Sequence, residues 1–411
     1  MSLRLIRLRE WKPTPVELDP EELADLQRID ADLVVTPSAG GGYEVRPGSI
    51  VGAATTPRLQ VLIEPKFSIE RVLYLVGSAR RIRFQPTRTQ LGASAELTEG
   101  FVAAFLVVVR DCLSRGLLKG YRHVDEQLAG VRGRVRFADQ LRRQFALPLP
   151  VEVSYDNFTE DIEENRVLKA ALRRLESFRP LSTSSHSRIN DALQVMAGVS
   201  DQRYTRASVP NFRFSRLNER YRPALELASL VIANTSIDLL EGRREIRSFL
   251  FDMNQIFEDF VFEQLRLRLA PTMRPDYRWV QGEPLPLDSN GVLNPEPDLA
   301  LWRGNRCLFV GDAKYKRTRE GELGDLYQLL AYCTAADLDL GLLVYADQAG
   351  GSRAHRLVHG GPTLRVEGLD LEATSDSIAD RLNSLARSID RRAGRNSPSS
   401  PTHQARDAAP R

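Results

Sequence analysis

Asp298, Asp312 and Lys314 are the residues whose types and spacing could do chemistry. The two carboxylates stand fourteen positions apart on either side of Gly304-Asn305, so a hairpin turning there brings both to one end of a sheet. Lys314 lies two residues beyond Asp312, and a strand's period of two puts its ammonium on the same face as that carboxylate. Two hard oxygen ligands beside an amine are what metal-assisted phosphodiester hydrolysis requires. The carboxylates hold Mg²⁺, the metal polarises the phosphate and lowers the pKa of a bound water, and the lysine positions or deprotonates that water or steadies the developing charge. The carbonyl of Ala313 can add a neutral oxygen ligand.

The register is a constraint on this reading. A strict two-residue turn pairs Arg303 with Arg306 and Asp298 with Gly311, which sends Asp312 to the opposite face. A shared site therefore needs a three-residue loop or a bulge, with Gly311 as the candidate position. Acid-x-Lys also occurs at Glu10-Trp11-Lys12 and Glu64-Pro65-Lys66, and taken alone Asp312 and Lys314 could be a surface ion pair at a strand end. The third match differs in having a Pro-Asp element on the preceding strand and a glutamine-bearing helix after it. Gln328 on that helix could reach the phosphate or a metal-bound water, while Tyr327 and Tyr332 read as core. Glu258, in Phe257-Glu258-Asp259-Phe260, reads equally as a solvated helical acid or as a further carboxylate at the metal.

The elements that must position these groups begin at about residue 246. A helix spans Asp252–Leu269, stopping before Pro271, and a short strand spans Tyr277–Gln281. Asp298–Arg303 and Cys307–Lys314 form the hairpin, Leu323–Ala335 a helix and Leu340–Tyr345 an apolar strand. Strands and helices in this order predict an α/β domain over 246–393, a mixed sheet flanked by helices. Residues 1–150 read as an α+β region, with strands at Leu3–Leu8, Gln60–Glu64 and within Tyr121–Phe137 and a helical pattern over Leu97–Leu118. There Arg132, Arg134 and Arg136 read as one solvated strand face rather than a phosphate-binding stripe. Residues 151–245 read as helical: a helix capped by Thr159 or Asp161 and running to Phe178, a polar linker over Ser182–Ser187, and helices near Ile189–Val199 and Arg220–Leu240. Residues 394–411, rich in Pro, Ser, Ala and Arg, read as a disordered tail.

Composition narrows the classes. A chain of 411 residues exceeds one ordinary core, and 42% hydrophobic with 27% charged residues is globular. A net charge of +3 advertises no global field for nucleic acid. Positive charge is almost all arginine, a skew read as genome composition. Cys112, Cys307 and Cys333 are far apart in apolar surroundings, which predicts buried thiols in a reducing cytosol rather than disulfides or zinc. No apolar run approaches the ~20 residues that span a bilayer, and no signal-peptide core opens the chain. The expectation is a soluble cytoplasmic protein with no membrane association.

Pro297-Asp298, then Asp312-Ala313-Lys314, then a Gln328 helix resembles the PD-(D/E)xK nuclease superfamily. More narrowly the chain is similar to the McrC family, the nuclease subunit of McrBC-type modification-dependent restriction systems. The segments that carry this are Ile63-Glu64-Pro65-Lys66, Gly130-Val131-Arg132-Gly133-Arg134, Asp161 to Lys169, Phe257-Glu258, Asp312-Ala313-Lys314-Tyr315-Lys316 and Asp325 to Gln328. The resemblance implies a C-terminal Mg²⁺-dependent endonuclease acting on double-stranded, typically cytosine-methylated DNA. It further implies an N-terminal part that docks on a hexameric AAA+ GTPase of McrB type and stimulates its hydrolysis. Carried over by position, Asp298 and Asp312 would be metal ligands and Lys314 the catalytic lysine, with Glu258 and Gln328 in support. A non-catalytic adaptor of a motor and a stand-alone repair nuclease are the competing readings.

Overall fold

The computed structural model describes residues 3–29, 31–82, 97–143, 149–178, 181–240, 244–316, 321–346 and 351–396. The chain divides into two compact units, Met1–Ile69 with Phe84–Phe251, and Glu70–Arg83 with Asp252–Arg411.

The first unit opens with β1 (Arg4–Arg9), β2 (Thr14–Val16), α1 (Pro20–Gln27), β3 (Leu33–Pro37), β4 (Tyr43–Pro47), β5 (Ile50–Thr55) and β6 (Leu59–Glu64). Next in the chain comes α2 (Ile69–Ala79), which apart from Ile69 belongs to the second unit. The first unit resumes with α3 (Leu97–Leu113), β7 (Gly120–Leu128), β8 (Arg134–Val135), α4 (Phe137–Arg143), β9 (Val151–Thr159), α5 (Glu163–Glu176), α6 (Thr183–Val195), α7 (Arg222–Asn234), β10 (Thr235–Leu240) and β11 (Arg244–Asp252). Its main sheet has the order β1-β6-β5-β11-β10, so a strand from the far end of the unit pairs beside the N-terminal ones. Smaller sheets β2-β4-β3 and β7-β9-β8 complete it.

Several local expectations are corrected in this unit. Ser182–Ser187 is not a linker: Ser182 caps α6 by accepting the Ser185 N–H, and the Glu99 carboxylate accepts from Ser182 and Ser185. The serine run reads as a linker by composition, but serine also satisfies the free N–H groups of a helix start. The helix expected over Arg220–Leu240 ends at Asn234 and continues as β10. Arg174 takes the carbonyls of Ile232 and Thr235 there, which satisfies the helix end and frees the Thr-Ser-Ile stretch, with its β-branched Thr235 and Ile237, for pairing. Neither Thr159 nor Asp161 caps α5, whose N-cap position is Ile162 without a side-chain bond. Asp161 instead binds Arg166 and Ser200, and the Arg166 guanidinium holds its carboxyl well below the usual range. In the arginine stripe, Arg132 lies over the Tyr155 ring and Arg136 pairs with Asp125 and Asp139.

The second unit runs α8 (Met253–Leu269), β12 (Tyr277–Val280), β13 (Leu299–Arg303), β14 (Arg306–Lys314), α9 (Leu323–Ala336), β15 (Leu340–Tyr345), β16 (Ser352–Arg356), β17 (Thr363–Gly368) and α10 (Ser375–Asn396). It is α/β, with one mixed sheet in the order β12-β13-β14-β15-β17-β16. β13 and β14 are antiparallel, whereas β14, β15 and β17 are parallel. A parallel neighbour needs a crossover, and α9 supplies it between β14 and β15. Cys307 to Ala313 are all buried, because helices cover both faces of β14. One face packs Val310, Leu343 and Tyr345 against Leu329, Tyr332 and Cys333 of α9. α2 lies on α8, with Tyr74 and Phe260 ring centroids 5.8 Å apart and Arg80 paired to Asp259. All three cysteines are free and buried. α10 reaches Asn396, past the expected start of the tail at 394, and residues 397–411 of that tail lie outside the described residues. Among the described residues no helix is long and apolar enough to cross a membrane.

Candidate active site

The hairpin of β13 and β14 settles the register. Gly304-Asn305 is a two-residue turn with Arg303 opposite Arg306 and Trp302 opposite Cys307, and Gly304 has φ +56. The pairing then shifts: Leu301 faces Phe309 and Leu299 faces Gly311. Leu308 is the extra residue, so the bulge sits there rather than at Gly311. One added residue turns Asp312 back to the side on which Asp298 enters the sheet.

The two carboxylates meet at the strand ends. The Asp298 N–H donates to Asp312 Oδ1 at 3.3 Å, and the Ala313 N–H donates to Asp298 Oδ2 at 3.1 Å. Lys314 Nζ lies 2.5 Å from Asp312 Oδ2 and 3.9 Å from Asp298 Oδ2. Asp312 is 1% exposed, and its buried Oδ2 is paired with the Lys314 ammonium. Glu258, half-buried on α8, is close enough to feel both Lys314 and Asp312.

The electrostatics are those of crowded acids. Burial, then the Asp312 and Glu258 carboxylates, push the Asp298 carboxyl up to about 8. Burial, only partly offset by Lys314, pushes Glu258 up to about 7. Burial disfavours the charge on Lys314, but the Asp312 and Asp298 carboxylates outweigh it and its pKa is raised. Three acids crowd one ammonium, and each acid that ionises disfavours the ionisation of the next. Among the described residues no group of three or more His, Cys, Asp or Glu is arranged to cage a metal.

Residues 45–346 match the family described as the McrBC 5-methylcytosine restriction system component. The chain belongs to this McrBC family. It is similar to the type IV methyl-directed restriction enzyme EcoKMcrBC of Escherichia coli K12, with 24% identity over 232 residues, which are 53% of this chain and 66% of that protein. The match thus spans just under two thirds of the relative. The fold is that of a chain in a solved half-complex from a tetradecameric assembly of Thermococcus gammatolerans McrB AAA+ hexamers with bound McrC. The TM-score is 0.58 at 18% identity, covering 94% of this chain and 100% of that one.

In this McrBC-family chain Gln328 is exposed and donates to the Tyr332 hydroxyl at 2.7 Å rather than to a carboxylate. Tyr332 is buried as expected, but its hydroxyl donates to the Glu296 carbonyl at 2.9 Å, two residues before Asp298. The Gln328–Tyr332 pair at i, i+4 was the signal for this link. Tyr327, read as core, is 62% exposed, because α9 turns that position away from the sheet. A second cluster lies nearby. Tyr345 donates to Asp325 Oδ2 at 2.6 Å, and Lys316 pairs with Asp325 and Glu322. The sequence decoys Glu10-Trp11-Lys12 and Glu64-Pro65-Lys66 form a structural lock in the first unit, where buried Glu10 accepts the Lys66 N–H at 3.0 Å.

Proposed function

We propose that this chain is the DNA-cutting subunit of a modification-dependent restriction complex, a Mg²⁺-dependent endonuclease whose second unit is a PD-(D/E)xK domain. The observation that carries the reading is the convergence of Asp298, Asp312 and Lys314 at the ends of β13 and β14, in a chain of the McrBC family. Asp298 and Asp312 would hold the metal, with the Ala313 carbonyl as a neutral ligand and Glu258 in support. When bound, the ion would supply charge to the phosphate oxygens and acidify a water. Lys314 orients that water or meets the charge that develops on the phosphate. Gln328 and Tyr332 steady the strand that presents Asp298.

The partner in this reading is a hexameric AAA+ GTPase of McrB type, whose GTP hydrolysis the chain stimulates and which selects methylated double-stranded DNA. The solved relative bound to McrB AAA+ hexamers supports this. A net charge of +3 fits a nuclease that receives DNA from a motor. The test is DNA cleavage with Mg²⁺ by the chain alone, by the chain with the AAA+ partner, and by Asp312→Ala and Lys314→Ala. Partner-dependent cutting lost in both variants is expected. Cutting without a partner favours a stand-alone nuclease, and GTPase stimulation without cutting a non-catalytic adaptor.

A further inference from the structure

Within the second unit, α8 and α10 enclose an open cleft of about 220 Å³ lined by Arg268, Thr272, Asn383, Arg387 and Asp390 among others. Arg268 is half-buried there, and all its hydrogen bonds go to neutral oxygens. Its Nε donates to Asn383 Oδ1 at 2.9 Å and its Nη1 to the Gln264 carbonyl and side-chain oxygen at 2.8 and 2.9 Å. Among the described residues no carboxylate pairs with it and its Nη2 has no partner. Arg266, two residues earlier, is by contrast held bidentately by Glu263. Burial without a counter-charge depresses the Arg268 pKa, so a bound anion would stabilise the folded chain here. Arg387 is exposed on the facing helix and likewise has no acidic partner among the described residues. Two guanidiniums against the single Asp390 leave the cleft net positive, and planar guanidinium forks suit phosphate oxygens.

We propose that this cleft grips a backbone phosphate of the duplex a few base steps from the scissile bond, an inference that rests on the nuclease reading. α8 carries both groups: Glu258 and Arg268 are ten residues apart, about 15 Å at 1.5 Å per residue. That is about four base steps at 3.4 Å each, and the spacing turns Arg268 about 80° round α8 from Glu258, so a duplex held at the carboxylates meets the cleft by following the flank of α8. Arg268 is preorganised by Asn383 and Gln264, and Arg387 closes on the phosphate from the other wall.

The test measures binding rather than cutting. Full-length chain carrying Asp312→Asn, alone and with its AAA+ partner, is titrated with a labelled duplex over a range of salt concentrations. Arg387→Ala is compared with Arg268→Gln, with thermal unfolding as a fold control. Losing one phosphate contact should weaken binding about eightfold at 0.1 M salt and reduce the slope of log K against log salt by about 0.9. Arg387→Lys should recover most of the slope. Unchanged affinity and slope in Arg387→Ala overturns the proposal, as does absence of duplex binding under both conditions. Tight binding of inorganic phosphate that leaves duplex affinity untouched would assign the cleft to a small anion and overturn it too. If the chain with Asp312 intact binds through this cleft yet never cuts, the nuclease reading falls. A chain that cuts with Arg387→Ala binding unaltered sinks the cleft alone.

Discussion

Asp298 and Asp312 hold each other through the main chain. The N–H of Asp298 donates to one carboxylate, and the N–H following Asp312 donates to the other. Neither side chain can shift without loosening its counterpart, so the pair is preorganised. Asp312→Asn keeps an acceptor at Oδ1 and the same volume, and should leave the unfolding midpoint within a few degrees. The same change removes the negative charge and should slow cutting by more than about a hundredfold. Single-turnover cleavage of a plasmid by the assembled complex measures this, and a loss of only a few-fold would remove Asp312 from the site.

The crowded carboxylates make a pH signature. Folded Asp298 and Glu258 keep protons up to about 8 and about 7, whereas the unfolded chain loses them near 3.8 and 4.5. The native state therefore binds more protons between those limits. Stability from these groups is full below about pH 4 and declines as pH rises through 7 to 8. In EDTA the unfolding midpoint should fall from pH 5.5 to 8 more steeply than in an Asp298→Asn, Glu258→Gln double variant. Mg²⁺ should restore it increasingly at high pH, because binding displaces protons. Identical slopes in both proteins would contradict the assigned charges.

The sequence demanded a bulge without locating it. Alternation cannot mark the slip at Leu308, since Cys307 to Ala313 are buried on both faces and every position is apolar or small until Asp312. The hairpin, the α9 crossover and β15 were legible because each has its own period and punctuation. Pairings across the chain were not. Nothing local in β11 announces a place beside β5, and nothing in α2 announces that it packs on α8, some 180 residues later. Likewise Gln328 was legible as a polar residue on the right helix, but its partner was set by the burial of Tyr332 against the strand that carries Asp298.

Tyr332→Phe isolates that link. It keeps the ring that fills the core and deletes a hydroxyl that both donates to Glu296 and accepts from Gln328. The Glu296 carbonyl loses a donor, which should cost about 1 kcal/mol. With the segment before Asp298 less firmly held, kcat should fall about tenfold with little change in KM. Urea unfolding and steady-state cleavage read the two effects separately. An unaltered kcat would make Tyr332 a packing residue only.

Gly341 on β15 seats the crossover helix. A Cβ there would stand 2.6 Å from Cys333 Sγ and from Leu329 Cδ1, both on α9. Gly341→Ala therefore forces α9 outward and should destabilise the chain by about 1–3 kcal/mol. Leu329→Ala opens a cavity at the same contact and should cost about 2–5 kcal/mol. Because the added methyl occupies part of the space that the leucine vacates, the double variant should be less destabilised than the sum, by about 0.5–3 kcal/mol. Urea denaturation of all four proteins completes the cycle. Strict additivity would mean that α9 does not rest on this glycine, and that its register, which sets the Gln328–Tyr332 pair on the Glu296 carbonyl, is fixed elsewhere.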